Sequence, residues 1–365
     1  MSSIETSLCG VRLSTPFVLA SGPLSFSAEA LVRATKAGAG AVVTKTIRAA
    51  RAVNPTPHMV RSSATSLINC ELWSDLPPEA WIDEEIPRAK SAGCTLIASI
   101  GHTTGEAQAY ARRAAGAGAD MIELVSYEKE DMVPMVGIAA GSGVPVLAKL
   151  SPNWTGLPEV ARECIRAGAS GITAADSLGP ALRVDIRSGR PLLGSRGGCG
   201  WLSGAAIKPI ALRVVAEIAL ENEVDIVGVG GVMTAEDAVE MLMAGATAVG
   251  VCSAPIMHGL EVFGRLNSAI ASLLDTLGYG SPAAASRAAL AHLRGETKYG
   301  ALAFEYAAPA CKECRRCVVL CPYRARTLEN KVTGVNEALC RNCGLCASVC
   351  PTGALRLAGY NHESP

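Results

Sequence analysis

Residues 1 to about 300 repeat one unit: a short run of apolar or β-branched residues, then a longer stretch with apolar positions at helical spacing. The runs lie at 17–21, 41–45, 95–100, 121–124, 145–150, 171–174, 225–230 and 248–252. They lack polar alternation, the pattern of strands covered on both faces. Helices are predicted between them, including 106–116 with Thr104 as N-cap, 157–167, and 234–244 with Thr234 as cap and Asp237 at the third helical position. Alternating Ala and Gly at 37–40, 115–118, 167–169 and 244–246 supplies glycine for a left-handed helix end before the next strand. Eight such units without a Gly-x-Gly-x-x-Gly turn predict an α/β fold, a TIM (β/α)8 barrel rather than an open doubly wound sheet. Residues 6–14 read as a hairpin closing the barrel bottom. Residues 182–203 read as a long glycine-rich insert after the sixth strand, and a loop of that length is usually functional.

The pattern changes near the C-terminus. Cys311-x2-Cys314-x2-Cys317-x3-Cys321-Pro322 is followed by Cys340-x2-Cys343-x2-Cys346-x3-Cys350-Pro351. Two such runs are the signature of a bacterial-type ferredoxin with two [4Fe–4S] clusters, in which the fourth cysteine of each run ligates the other cluster. The expected sets are therefore Cys311, Cys314, Cys317 and Cys350, and Cys340, Cys343, Cys346 and Cys321. Zinc sites favour two separated pairs and disulfides need an oxidising compartment, so both fit this spacing poorly. The chain thus divides into a barrel at 1–280, a linker with short helices at 281–304 and a ferredoxin-like domain at 305–365.

Composition narrows the partners. The formal net charge of the 365 residues is +0, which argues against nucleic acid or an anionic membrane. No apolar run approaches the ~18 residues of a spanning helix, and the N-terminus lacks the pattern of a signal peptide. Oxidant-sensitive clusters and scattered other cysteines point to a reducing cytoplasm.

In a barrel the chemistry sits at the C-terminal strand ends. Those ends carry Ala20, Ser21 and Gly22; Lys45; Lys149; Gly230 and Gly231; and Cys252 and Ser253. Glycines after strands seven and eight suit a phosphate, and two lysines at strand ends are costly unless they meet anions. Lysines plus a phosphate loop suit flavin mononucleotide (FMN), whose reduced ring a nearby cation stabilises.

These segments resemble the FMN domain of dihydropyrimidine dehydrogenases and the class 1 dihydroorotate dehydrogenases, most of all the FMN/iron–sulfur subunit of the bacterial dihydropyrimidine dehydrogenases. The resemblance is carried by Leu19-Ala-Ser-Gly-Pro23, Val43-Thr-Lys-Thr-Ile47, Leu67-Ile-Asn-Cys-Glu-Leu72, Ala148-Lys-Leu-Ser-Pro-Asn153, Leu202 to Arg213, Gly228-Val-Gly-Gly231 and Val251-Cys-Ser-Ala254. It implies that Ala20, Ser21, Gly22, Lys45 and Lys149 lie at the flavin ring and ribityl chain. Ser203, Gly204, Gly230, Gly231, Cys252 and Ser253 would hold ribityl and phosphate, and Asn69 and Asn153 would contact substrate or flavin.

The chain departs from the family where substrate is handled. The family's Asn-x-Ser-Cys-Pro after strand four reads Glu123 to Asp131 here, with Val125 for the asparagine, Glu128 for the catalytic cysteine and a shorter following loop. A Thr-Asn-Thr after strand six reads Ala175-Asp176-Ser177. Tyr127, Glu128 and His102 are the candidates to replace the missing acid. Asp176 is a candidate contact for an amine-bearing substrate, and Trp73, Trp154 and Trp201 for an aromatic one. The expected function is an FMN- and iron–sulfur-dependent oxidoreductase acting, in the reductive direction, on a small cyclic or conjugated substrate. Its expected electron partner is a ferredoxin or a separate NAD(P)H-oxidising flavoprotein subunit, in a homodimer or hetero-oligomer. Three alternatives stand beside it. One is an electron-transfer subunit without its own substrate, another a true dihydropyrimidine or dihydroorotate dehydrogenase with a substituted acid/base, and the third a barrel without flavin.

Overall fold

The computed structural model describes residues 3–297 and 299–358. The chain forms two compact units, residues 1–294 and 295–365.

The first unit begins with an antiparallel hairpin, β1 (Thr6–Leu8) and β2 (Val11–Leu13). Strands β3 (Phe17–Leu19) and β4 (Ala41–Val43) follow, then a protruding pair, β5 (Met59–Ser63) and β6 (Ser66–Asn69). Next come β7 (Leu96–Gly101), β8 (Met121–Val125), β9 (Val146–Leu150) and β10 (Gly171–Ala174). A second excursion, β11 (Leu178–Leu182) and β12 (Cys199–Gly204), precedes β13 (Asp225–Val229) and β14 (Ala248–Val251). The eight predicted strands close a parallel barrel in the order β10-β13-β14-β3-β4-β7-β8-β9.

Two cores explain why these strands read as unbroken apolar runs. Phe17, Leu19, Val42, Leu96, Ala98, Ile122, Val146, Ala148, Ile226 and Val249 pack outward beneath the helices. Their neighbours Val18, Ala41, Val43, Ile97, Met121, Leu147, Val227 and Ala248 pack inward. Side chains alternate along a strand, so one set feeds each core. Leu8 and Leu13 of the hairpin are fully buried in the inner core, plugging the barrel bottom as expected.

Helix Ala235–Met243 carries the predicted capping box of Thr234 and Asp237. Helix Thr104–Gly116 is capped by Thr103, not Thr104: the Thr103 side chain accepts the Glu106 N–H. Gly38, Gly118, Gly168 and Gly245 take positive φ at the helix ends.

Two expectations need revision. The insert at 182–203 is not a free loop. With β5 and β6 it forms an antiparallel sheet in the order β11-β12-β6-β5, in which Trp201 pairs with Asn69 and Ser203 with Leu67. The β5 strand escaped notice because its burial is partial and its sequence, Met-Val-Arg-Ser-Ser, is half polar. The barrel unit also extends past 280. Short helices Pro282–Ala285 and Leu290–Leu293 bury Ala285 and Leu290 in the outer core, and Arg287 N–H donates to the Leu242 carbonyl, so the division falls at 294/295.

The second unit contains two ribbons. Strand β15 (Phe304–Tyr306) pairs with the late strand 355–357, and a hairpin is formed by β16 (Arg326–Glu329) and β17 (Val332–Val335). The late strand is β18 (Leu355–Leu357). Among the described residues no helix is long and apolar enough to cross a membrane.

Candidate active site and cluster pockets

The C-terminal strand ends and the extra sheet enclose one cavity, with about 1080 Å³ of empty space including its open mouth. Its lining includes Ala20, Ser21, Gly22, Lys45, Asn69, Tyr127, Lys149, Asp176, Ser203, Gly204, Gly230, Gly231, Cys252 and Ser253. Three predicted site residues fall outside it. Asn153 is exposed and its amide donates to the Gly179 carbonyl. Glu128 is exposed at the boundary of helix Lys129–Ala139. His102 stands one layer back, behind Tyr127.

The barrel order sets the long axis of the cavity. Strands β13 and β14 lie across the ring from β7 and β8. At the β13/β14 end, Gly230 and Gly231 have φ of 130° and 80°. A Cβ on Gly231 would come within 2.7 Å of the Lys208 backbone nitrogen, so only glycine lets the chain pass here. Ser253 and Ser203 hydroxyls meet at 3.0 Å beside these turns. Bare backbone and two hydroxyls fit a phosphate. Lys208 itself is tied up by Asp237 and Glu240, each at 2.5 Å.

Across the middle sit the two lysines. Lys45 Nζ lies 2.6 Å from Glu71 Oε2, and Lys149 Nζ lies 3.4 Å from Asp176 Oδ1. Burial works against the charge of Lys149, but the Asp176 carboxylate opposes it, and the pKa is held above its ordinary value. Cys252, half-buried here, is pushed up to about 11 by desolvation and stays a thiol. Hydroxyls connect Ser21 to Thr46 at 3.3 Å and Thr46 to Ser99 at 3.0 Å. The donors of this region and the glycine turns together suit FMN: cations for the ring, hydroxyls for the ribityl chain, bare backbone for the phosphate.

The sequence reading missed Glu71 and Glu123. Glu123, wholly buried in β8, accepts from Thr173 Oγ1 at 2.9 Å, while its Oε1 has no hydrogen-bond partner among the described residues. Burial raises its pKa, against the pull of Lys149. The unfolded chain ionises this group near its ordinary value of 4.5 while the folded chain keeps the proton, so stability is lost as pH rises through the folded value. Glu123→Gln is therefore expected to gain stability relative to the parent as pH climbs from 4.5 toward 8, measured by urea unfolding across that range. A difference that does not vary with pH contradicts it.

At the β7/β8 end the cavity is walled by aromatic rings. Tyr127 and Trp201 stack with centroids 5.4 Å apart and planes 8° apart, and Trp73 lies 5.0 Å from Tyr127. Trp154, by contrast, donates its indole N–H to the Tyr127 carbonyl and is not part of the lining. His102 packs at 5.3 Å from Tyr127 and 5.4 Å from Trp73. Burial, then Arg48, holds its pKa below the ordinary value. The Tyr127 phenol is pushed up to about 12 by desolvation and Asp176, so it keeps its proton.

In the second unit the eight cysteines line two small pockets. One is lined by Cys311, Cys314, Cys317 and Cys350; the other by Cys321, Cys340, Cys343 and Cys346. These are the two crossed sets expected from the spacing. Backbone N–H groups of Glu313 and Asn342 point at Cys311 and Cys340 sulfur, each at 3.4 Å, and those of Ala325 and Leu355 at Cys321 and Cys350, at 3.3 and 3.4 Å. Burial acts upward on Cys321 and Cys350, but backbone donors prevail and hold both thiols below their ordinary range, whereas burial holds Cys317 above it. One feature breaks the repeat. Arg326 is buried, donates to Cys346 Sγ at 3.2 Å and lies 4.4 Å over the Phe304 ring, whereas the corresponding residue five positions after Cys350 is the apolar Leu355.

Residues 3–274 match the sequence signature of the family described as dihydroorotate dehydrogenase, and residues 310–354 that of the 4Fe-4S dicluster domain. The chain is similar to the "Dihydroorotate dehydrogenase B (NAD(+)), catalytic subunit" of Methanothermobacter thermautotrophicus, with 34% identity covering 76% of this chain and 95% of that one. The protein of the same description from Pyrococcus abyssi is 32% identical over 76% of this chain and 96% of its own. That from Geobacillus kaustophilus is 31% identical over 77% and 93%.

Proposed function

The chain belongs to the dihydroorotate dehydrogenase family of flavin-dependent oxidoreductases acting on CH–CH bonds, and we propose that it exchanges electrons between a small cyclic or conjugated substrate and an external redox partner. FMN, when bound, supplies hydride exchange with the substrate and one-electron exchange with two [4Fe–4S] clusters. The observation that carries this reading is the presence in one chain of a phosphate-and-ring cavity and of a unit whose cysteines line two pockets in crossed sets.

The chain's own groups divide the work. Gly230, Gly231, Ser203 and Ser253 anchor the phosphate end, and Lys45 and Lys149 hold positive charge beside the ring. Tyr127 is the protonated group at the substrate end and takes the acid role that the family's cysteine fills, with neutral His102 and Ser126 behind it. Val125 and the exposed Glu128 are not suited to that role. The clusters pass electrons to a ferredoxin or to an NAD(P)H-oxidising subunit. The relatives' descriptions as catalytic subunits of an NAD(+) enzyme support a hetero-oligomer. Those descriptions also favour a second reading, a dihydroorotate or dihydropyrimidine enzyme in which Tyr127 replaces the cysteine.

Anaerobic purification with flavin and iron analysis, then titration of the dithionite-reduced protein with unsaturated cyclic compounds including uracil and orotate, separates the readings. FMN, about eight irons per chain and flavin reoxidation by one compound class support the enzyme. Turnover of orotate or uracil selects the second reading, and iron without FMN ends the flavin assignment.

The broken repeat gives a further expectation. A buried cation hydrogen-bonded to a ligand sulfur favours the reduced cluster. Arg326→Leu is expected to shift the cluster of Cys321, Cys340, Cys343 and Cys346 to lower potential and the other, which Arg326 reaches only through its charge at Cys317, by less, read by EPR-monitored potentiometry. Equal shifts in both clusters contradict a local effect.

A further inference from the structure

We propose that the substrate is a flat ring that carries N–H donors and no carboxylate, and that Asp176, with Glu71, is the device that rejects carboxylate-bearing rings. The inference rests on the flavin reading above and names the substrate class of that same cavity.

The aromatic wall selects for flatness. Trp73, Tyr127 and Trp201 present ring faces and edges on the side of the mouth remote from the glycine turns. Such faces bind a planar ring by stacking and offer little to a saturated chain.

The charges select against an anion. Both lysines of the lining are already opposed by carboxylates, Lys45 by Glu71 and Lys149 by Asp176. The next nearest cation, Arg48, lies 5.7 Å over the Trp73 ring, and its Nε is held by Glu106 at 2.5 Å. Behind Tyr127 the imidazole of His102 is kept toward its neutral form. A ring carboxylate entering here meets two carboxylates and no cation without a partner among the described lining residues. It must give up water without a compensating charge, or break the Lys149–Asp176 pair.

The same groups accept N–H donors. Asp176 Oδ1 accepts the Ser177 N–H at 2.7 Å and faces Lys149, which leaves Oδ2 for a ligand donor. Asn69, held through its amide to the Trp201 carbonyl at 3.4 Å, stands on the opposite side of the lining with Glu71 next to it.

The test uses the full-length, FMN-loaded protein. Flavin content and reduction by dithionite are recorded first, so that failure of the flavin reading shows before any ligand is added. Perturbation of the oxidised flavin spectrum is then titrated with pairs differing by one carboxylate: uracil and orotate, nicotinamide and nicotinate, benzamide and benzoate. The uncharged member is expected to bind at least about tenfold more tightly, as one unfavourable charge contact of ~1.4 kcal/mol dictates. Asp176→Asn, with flavin content retained, is expected to bring the ratio toward one, and Asp176→Glu to preserve it. The proposal is overturned if the carboxylate member binds as tightly, if Asp176→Asn leaves the ratio unchanged, or if no pair binds to flavin-replete protein.

Discussion

Replacing Lys149 by methionine is expected to destabilise the barrel by about 1–3 kcal/mol and to lower the reduction potential of bound flavin, which loses its neighbouring cation. Lys149 is buried at the end of β9, between Asp176 and the fully buried Glu123. Methionine fills the volume but leaves Asp176 without its counter-charge. It also removes the cation that opposes the raised pKa of Glu123. Breaking one side of this partly buried ion pair costs more than the pair contributes, because the half-buried Asp176 carboxylate loses its counter-charge without regaining full hydration. Lys149→Met combined with Asp176→Asn removes both charges, so it should recover most of the stability while the flavin potential stays low. Thermal unfolding and redox potentiometry read the two effects separately. A single variant as stable as the parent contradicts the assigned role.

The second large effect concerns the cysteines. Cys350→Ser is expected to remove the cluster of Cys311, Cys314 and Cys317 and to spare the one nearer to it in sequence. Cys350 lines the pocket with those three residues, while Cys340, Cys343 and Cys346 close around Cys321. Cys321→Ser should do the converse. Iron content falls by about half in each variant. The surviving cluster is identified by combining each variant with Arg326→Leu, since the Arg326 guanidinium donates to Cys346 Sγ and its loss shifts that cluster's signal more than the other. Survival of the cluster of Cys311, Cys314 and Cys317 in Cys350→Ser would mean that each run holds its own cluster.

The frame was legible because its causes are local. A barrel strand feeds two cores, so eight apolar runs marked eight strands within a residue or two. Cysteine spacing states its own geometry, and the pockets reproduce the crossed sets. Where pairing is long-range the sequence was silent. Strand β6 meets β12 across more than 130 positions, as the Ala206 N–H to Ser66 Oγ bond at separation 140 illustrates, and no periodicity in either segment declares it. Thr103 took the cap from Thr104 because the two residues are equivalent in type and only the chain direction decides.

The site was legible in parts. Lys45, Lys149, Gly230 and Gly231 were marked by residue type at strand ends. Glu71 was hidden because it follows β6, an element the pattern did not reveal, and Glu123 because an acidic residue within an apolar run reads as an outward position. Glu128 was proposed by counting along an ungapped stretch. The structure instead turns the chain after Val125 so that Tyr127 reaches the cavity and Glu128 faces solvent. Asn153 likewise sits past a turn, and its amide is spent on Gly179.

The central claim is that one chain couples a flavin to two clusters. An anaerobic dithionite titration followed by absorbance and EPR tests it most directly. The account predicts about four reducing equivalents per chain, two for the flavin and one for each cluster, with flavin bleaching and two cluster signals appearing in the same titration. Uptake of about two equivalents with either the flavin change or the cluster signals missing would contradict it.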